Sequence, residues 1–160
     1  EGVAFADVFS QTTGLDDPDT LGLVHRLNGE LEAVATEPGE NHFTLHPDDV
    51  FGDRGAMVRA RLDGVLVGCG AVRRIEPTVG EVKRMFVDAA ARSNKIGAAI
   101  LDQLELRAKR LGITELKLET GPRQVEALGL YAGAGYEPCD LFGEYVDTPA
   151  TSMCFRKLLA

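Results

Sequence analysis

Between Arg92 and Ala98 the chain reads Arg-Ser-Asn-Lys-Ile-Gly-Ala, two cations set among small and polar residues. If a helix starts here, these residue types can hold an anion. The first backbone N–H groups of a helix have no intrahelical acceptors, and the helix dipole makes that end positive. The amides from Ser93 to Ala98 would converge on a phosphate group, and Arg92 and Lys95 would add side-chain charge. Gly97, Ala98 and Ala99 are small enough to let the anion approach. The same residues would also serve a plain strand-to-helix turn with two solvated cations. The stretch is neither a nucleotide-triphosphate loop nor a dinucleotide fingerprint, because the glycines that each requires are absent.

Other reactive residues offer less. His42 and His46 are four apart, as two ligands on a helix would be, but Pro47 and the turn-rich surroundings speak against a helix, and no metal site is expected. His25 falls in a helical stretch and reads as surface or groove lining. Cys69, Cys139 and Cys154 lack metal-ligand spacing and read as free thiols. Cys139 has no recognisable nucleophile setting, so a cysteine-bound acyl intermediate is not expected. Arg73 and Arg74 would either bind an acidic group or lie in solvent.

The elements that position the loop can be read from periodicity. Leu21, Val24, Leu27, Leu31 and Val34 mark a helix, with Asp17 as its cap and Pro18 in its first turn. A turn-rich stretch follows, with a short helix after Pro47. Two apolar runs, from Met57 to Leu62 and from Val65 onward, meet at Asp63-Gly64, a strong hairpin signal. The run Gly80 to Val87 is a third strand, antiparallel like the first two. Beyond the loop, Ile96, Ile100, Leu101, Leu104, Leu106 and Leu111 form the apolar side of a long helix that Gly112 ends. The remaining order is strand (114–120), helix (123–135) with Gly133 and Gly135 as its cap, and strand (151–159). Antiparallel strands followed by helix, strand, helix, strand predict an α/β chain with a mixed sheet and helices on its faces.

Composition bounds the function. A chain of 160 residues suits one domain, 1–160, able to bury a core. The net charge of −8 argues against sequence-independent nucleic-acid binding and mildly favours a cationic substrate. No apolar run reaches membrane-spanning length, and no basic segment leads into an apolar core at the N-terminus, so a cytoplasmic protein is expected.

Two blocks resemble the GNAT superfamily of acetyl-CoA-dependent N-acetyltransferases. The family loop is Gln/Arg-x-x-Gly-x-Gly/Ala; Arg92 and Gly97 match its ends, and Lys95 replaces the glycine between them. The second block, Gln124 to Tyr136, is similar to Asn-x-x-Ala-x-x-Leu-Tyr-x-x-x-Gly-Phe/Tyr, with Gln124 at the asparagine position. The blocks are independent, fall in the family's order, and span residues 79–140.

The resemblance implies a mostly antiparallel sheet whose fourth and fifth strands splay apart to admit the pantetheine of acetyl-CoA. Main-chain groups of Met85, Phe86 and Val87 would pair with it as with an added strand. The Met85 amide would stabilise the oxyanion formed from the thioester carbonyl. Arg92, Ser93, Asn94, Lys95, Ile96, Gly97 and Ala98 would hold the pyrophosphate, and Gln124 would bond the cofactor backbone. A right-handed Lys95 would fit the turn at little cost, its ammonium adding a phosphate contact.

The acceptor amine must lose a proton to attack. Glu81, eleven residues before Arg92, is the candidate base. Strand alternation sets Glu81, Lys83 and Met85 on one face unless a bulge intervenes. The bland alternative is a surface glutamate paired with Lys83 or Arg84. Tyr131 stands where family members carry the tyrosine that protonates the leaving thiolate; otherwise it is a core aromatic. The family's acceptor pocket corresponds to about residues 20–55, where Glu30, Glu32, Glu37, Glu40, Asp48 and Asp49 would suit a cationic amine or be plain surface. The implied activity is acetyl transfer to a primary amine, small-molecule or peptide, with a non-catalytic acyl-CoA-binding or partner-binding module as the alternative. A homodimer is compatible with the resemblance, as many relatives are dimers.

Overall fold

The structure is a computed structural model that describes residues 3–7, 22, 25, 47–50, 52–89, 91, 95–122 and 124–160. Seven strands form one sheet: β1 (Val3–Asp7), β2 (Gly55–Leu62), β3 (Val65–Glu76), β4 (Val79–Val87), β5 (Glu115–Thr120), β6 (Glu137–Cys139) and β7 (Met153–Leu158). Their spatial order is β1-β2-β3-β4-β5-β7-β6, antiparallel throughout except for the parallel β4–β5 pair. Among the described residues the helices are α1 (Ile96–Arg110) and α2 (Val125–Gly133), with 3-10 turns at Pro47–Val50 and Gly143–Asp147; Gly22 and His25 are also helical, and the rest of the helix expected from Leu21 to Val34 lies outside the described residues. The mixed, mostly antiparallel sheet is the one anticipated, as is the short helical turn at Pro47.

Local chemistry explains the punctuation. Asp63 and Gly64 both take positive φ, 52° and 84°, which is the two-residue turn whose twist matches its strands. Ile96, Ile100, Leu101 and Leu104 are fully buried along one face of α1, whereas Leu106 is 41% exposed and does not join them. Arg107, Lys109 and Arg110 in the last turn of α1 complement the negative end of its dipole. The helix seats closely on β3. A Cβ on Gly70 would lie 2.8 Å from both Ile100 Cγ2 and Met85 Sδ, so only glycine permits this approach. Two strands were not anticipated. β1 sets Val3 and Phe5 against the core by simple alternation, and β6 spans only three residues.

Two features of β4 shape the molecule. Its pairing with β5 runs from Val79–Glu115 to Glu81–Lys117 and stops, so the strands diverge beyond Glu81. On its other edge, Lys83 pairs with Ala71 and Phe86 with Cys69, which leaves one extra residue in β4 around Arg84 and Met85. That bulge resets the alternation. Met85 turns towards α1, against Gly70, whereas Glu81 and Lys83 face the opposite side. The shared face expected for Glu81, Lys83 and Met85 is therefore broken at Met85.

Candidate active site

The divergence of β4 and β5 opens a gap at the β4 edge: the β4–β5 register ends at Glu81–Lys117, while β4 itself runs on to Val87. Backbone polar groups need hydrogen-bond partners, so such an edge fits an extended, amide-bearing ligand. The N-terminus of α1 lies beside the far end of β4. A Cβ on Gly97 would come within 3.7 Å of Val87 Cγ2 and 3.3 Å of Leu130 Cδ2. Among the described residues no side chain caps that end of the helix, and its first turn holds no acidic residue. Uncapped amides without a competing carboxylate suit a bound anion. Lys95 occupies the cap position at φ 58° and ψ 26°, in the left-handed region. Lys95 therefore does not have the right-handed geometry in which its Cβ would cost little: this position is one that favours glycine. Arg92, Ser93 and Asn94 lie outside the described residues. Ala98 is exposed beside the helix start, whereas the Ile96 side chain is fully buried and offers its backbone alone.

On the other side of the sheet, Glu81 is buried at 1% exposure. It is not a surface residue. Arg73 Nε donates to Oε1 at 3.0 Å and Tyr145 Oη donates to Oε2 at 2.5 Å. Arg73 also stands 3.8 Å from Asp49, the residue of the anticipated acidic cluster whose side chain is described. Arg73 is therefore committed to carboxylates of the chain itself. Arg74 bonds the carbonyl oxygens of Asp53, Pro77 and Leu111, tying the hairpin to the end of α1. The next residue on the Glu81 face, Lys83, is also buried and meets Glu144 at 3.3 Å. Consecutive residues of one 3-10 turn, Glu144 and Tyr145, thus cover Glu81 and Lys83 of β4. Phe142 steadies that turn through an edge-on ring contact with Tyr145 at 5.2 Å, and Lys117 stands 5.4 Å over the Phe142 ring.

Tyr131 is the buried residue of α2, with its ring edge-on to Tyr136 at 5.9 Å. Burial raises its pKa, and the charge of Glu119 adds to the rise, so its hydroxyl keeps its proton at neutral pH. Tyr136 is fixed in turn by its hydrogen bond to Glu105 on α1, which Lys157 of β7 also contacts. Gln124 heads α2, and its Oε1 accepts from Thr120 Oγ1 at 3.2 Å, so the amide nitrogen is its donor end. Cys154 is pushed up to about 11 by burial and Cys139 is also raised by burial, which keeps both as weakly nucleophilic thiols. His25 is exposed, and His42 and His46 lie outside the described residues. Among the described residues no group of three or more His, Cys, Asp or Glu side chains could hold a metal, and no helix is long and apolar enough to cross a membrane.

Arg73, Tyr145 and Glu144 are the site residues that sequence reasoning did not assign. Tyr145 is 64 residues from its partner Glu81, and no spacing rule connects them. Arg73 was visible in part. It faces Glu81 across the β3–β4 ladder, a pairing that follows once the turn between the two strands is placed.

Comparison with known proteins agrees with this fold. Residues 22–136 match the model of the acetyltransferase (GNAT) family. An IAA acetyltransferase of Azospirillum brasilense is 42% identical over 91 residues, which are 56% of this chain and 60% of that protein, so the match spans well under two thirds of that relative. An uncharacterised N-acetyltransferase of Bacillus subtilis, YsnE, is 30% identical over 147 residues, 90% of this chain and 97% of its own. Among solved structures, a Klebsiella pneumoniae chain named as an acyl-CoA N-acyltransferase superposes with a TM-score of 0.80 at 27% identity, covering 99% of this chain and 98% of the other. A GNAT family acetyltransferase from Elizabethkingia anophelis with acetyl-CoA bound shares the fold, with a TM-score of 0.67 at 15% identity and 99% of each chain covered.

Proposed function

The chain belongs to the acetyltransferase (GNAT) family, and on that premise we propose that it transfers the acetyl group of acetyl-CoA to a primary amine by direct attack in a ternary complex. The observation that carries this reading is the gap beyond Glu81–Lys117, edged by the bulged main chain at Arg84–Met85 and backed by buried Glu81. Acetyl-CoA supplies an activated acetyl thioester. The β4 edge from Met85 to Val87 takes its pantetheine arm as an added strand. The uncapped start of α1, with Arg92, Lys95 and the amides up to Ala98, takes its pyrophosphate. The Nε2 of Gln124 donates to the same arm. The Met85 N–H is aimed at the carbonyl oxygen, where negative charge grows as the amine adds.

Glu81 is held by two fixed donors and keeps further lone pairs on each oxygen, enough to accept the proton that the attacking amine sheds, directly or through one water. The new N–C bond forms as the C–S bond breaks, and Tyr131 meets the departing sulfur. A tyrosine whose pKa is raised holds its proton more tightly than a thiol does. Tyr131 therefore acts as a hydrogen-bond donor that stabilises the thiolate, and solvent completes the protonation. Cys69 is buried, and Cys139 and Cys154 are weakly nucleophilic, which supports direct transfer over an acyl-cysteine route.

The experiment is acetyl-CoA titration by calorimetry combined with initial rates on an amine panel. Binding that is saturable, with turnover that requires the amine and shows intersecting lines in double-reciprocal plots, supports the reading. Parallel lines would replace it with a covalent route. An absence of heat and of thermal shift would remove acetyl-CoA from the site.

A further inference from the structure

Lys83 is a buried ammonium that the transfer chemistry does not use. Its side chain is 3% exposed, while that of its partner Glu144 is 37% exposed and belongs to a surface 3-10 turn. The pair is therefore lopsided, with its cation fixed in the sheet and its anion at the solvent edge. Removing the anion from a buried pair is costly, but replacing it with another carboxylate is not. Glu81 and Lys83 project from one face of β4, two positions apart, so their backbones are separated by about 7 Å. Arg73 already offsets one negative charge of the Glu81–Asp49 group. Once Glu144 moves aside, the face offers a proton-accepting carboxylate and, next to it, an ammonium without its anion. That is the charge complement of a zwitterion.

We propose that the acceptor is an amino acid, whose amine is directed to Glu81 and whose carboxylate takes the place of Glu144 on Lys83. The assignment rests on the amine-acetylation reading above and narrows it to one substrate class. The expected general preference for a cationic amine, drawn from net charge and the acidic residues between Glu30 and Asp49, is replaced by a preference for an amine that carries its own anion. Lys83 supplies specificity by binding. Glu144 is the resident carboxylate that holds the ammonium in the absence of the acceptor. Lys117, level with Glu81 in the β4–β5 ladder, is engaged with the Phe142 ring and plays no part.

The test compares free L-amino acids with their α-amides as acceptors for the full chain, using release of the CoA thiol to obtain kcat/KM. The acid is expected to exceed its amide by about tenfold to a hundredfold, the worth of one charge-assisted hydrogen bond. In Lys83→Met that ratio falls to about one, while in Lys117→Met it holds. Glu144→Gln removes the competing carboxylate and keeps the shape of the turn, so KM for the acid falls several-fold with KM for the amide unmoved. Amides that serve as well as acids overturn the inference and leave amine acetylation standing. Equal loss in both lysine variants also overturns it, because a general field of the cations would then be the cause. If Lys83→Met does not fold, an unchanged KM for the acid in Glu144→Gln decides against it. Acetylation of no acceptor, acid or amide, overturns this inference together with the reading beneath it.

Discussion

Replacing Lys95 separates backbone fit from charge at the start of α1. At φ 58° and ψ 26° a residue with a Cβ costs roughly 1–2 kcal/mol relative to the right-handed region. Glycine removes that strain but returns roughly 0.4–1 kcal/mol through the greater freedom of the unfolded chain. The net gain for Lys95→Gly is therefore about 0.5–1 kcal/mol, which for a domain of this size raises Tm by about 1–4 °C. The ammonium works in the opposite direction. A unit charge about 4 Å from a phosphate oxygen in a water-like medium contributes about 1 kcal/mol, so its loss weakens acetyl-CoA binding about fivefold. Salt at about 0.5 M should shrink that difference, since the site is exposed. Lys95→Ala completes the comparison: it loses the charge and keeps the strain, so its binding weakens without the rise in Tm. Differential scanning fluorimetry of the apo protein and calorimetry at two salt concentrations read all four quantities. A lower Tm in Lys95→Gly would refute the left-handed assignment, and unweakened binding at low salt would refute the phosphate contact.

Three further outcomes are expected. Tyr131→Phe should lower kcat about tenfold or more with little change in acetyl-CoA affinity, measured by initial rates and calorimetry; unchanged kcat removes Tyr131 from the mechanism. Tyr145→Phe leaves Oε2 of Glu81 short of its donor, at a cost of about 1–3 kcal/mol, so urea denaturation should show a lower midpoint; an unchanged midpoint would mean that this hydrogen bond is not made in solution. Tyr131, Tyr136 and Tyr145 are all raised by burial, with carboxylates Glu119, Glu105 and Glu81 respectively adding to it. An unfolded tyrosine releases its proton near pH 10 while these three retain theirs, so the unfolded state binds fewer protons and stability falls as pH rises above about 10. The slope is about 1.4 kcal/mol per pH unit for each tyrosine, and Tyr145→Phe should remove one such share. A urea midpoint that is flat between about pH 10 and 11 would contradict the burial of these hydroxyls.

What the sequence makes legible here is local. The left-handed turns at Gly64, Gly112 and Gly135 and the buried stripe of α1 each depend on residues within one or two turns of chain. Leu106, counted with the stripe, stands two residues from Leu104 and five from Leu101, spacings that set it on the far side of the helix, where it faces water. The bulge near Met85 left no mark that alternation could detect, because Val82, Lys83 and Phe86 are all buried in a strand covered on both faces. The state of Glu81 was the least legible point. Its burial depends on Tyr145 and on a strap from the far end of the chain, and only the closed sheet brings these together. Lys95 shows the reverse case. The family motif marks a glycine position there, and the left-handed φ supplies the physical reason for that mark.

The most direct test of acetyl transfer to an amine at Glu81 is the identification of the acetylated product by mass spectrometry, with CoA thiol counted in the same reaction. One N-acetylated amine per thiol released is predicted, with the rate reduced about a hundredfold or more in Glu81→Gln while acetyl-CoA still binds. Saturable acetyl-CoA binding without any amine-dependent thiol release would contradict it and leave a binding module of the same fold.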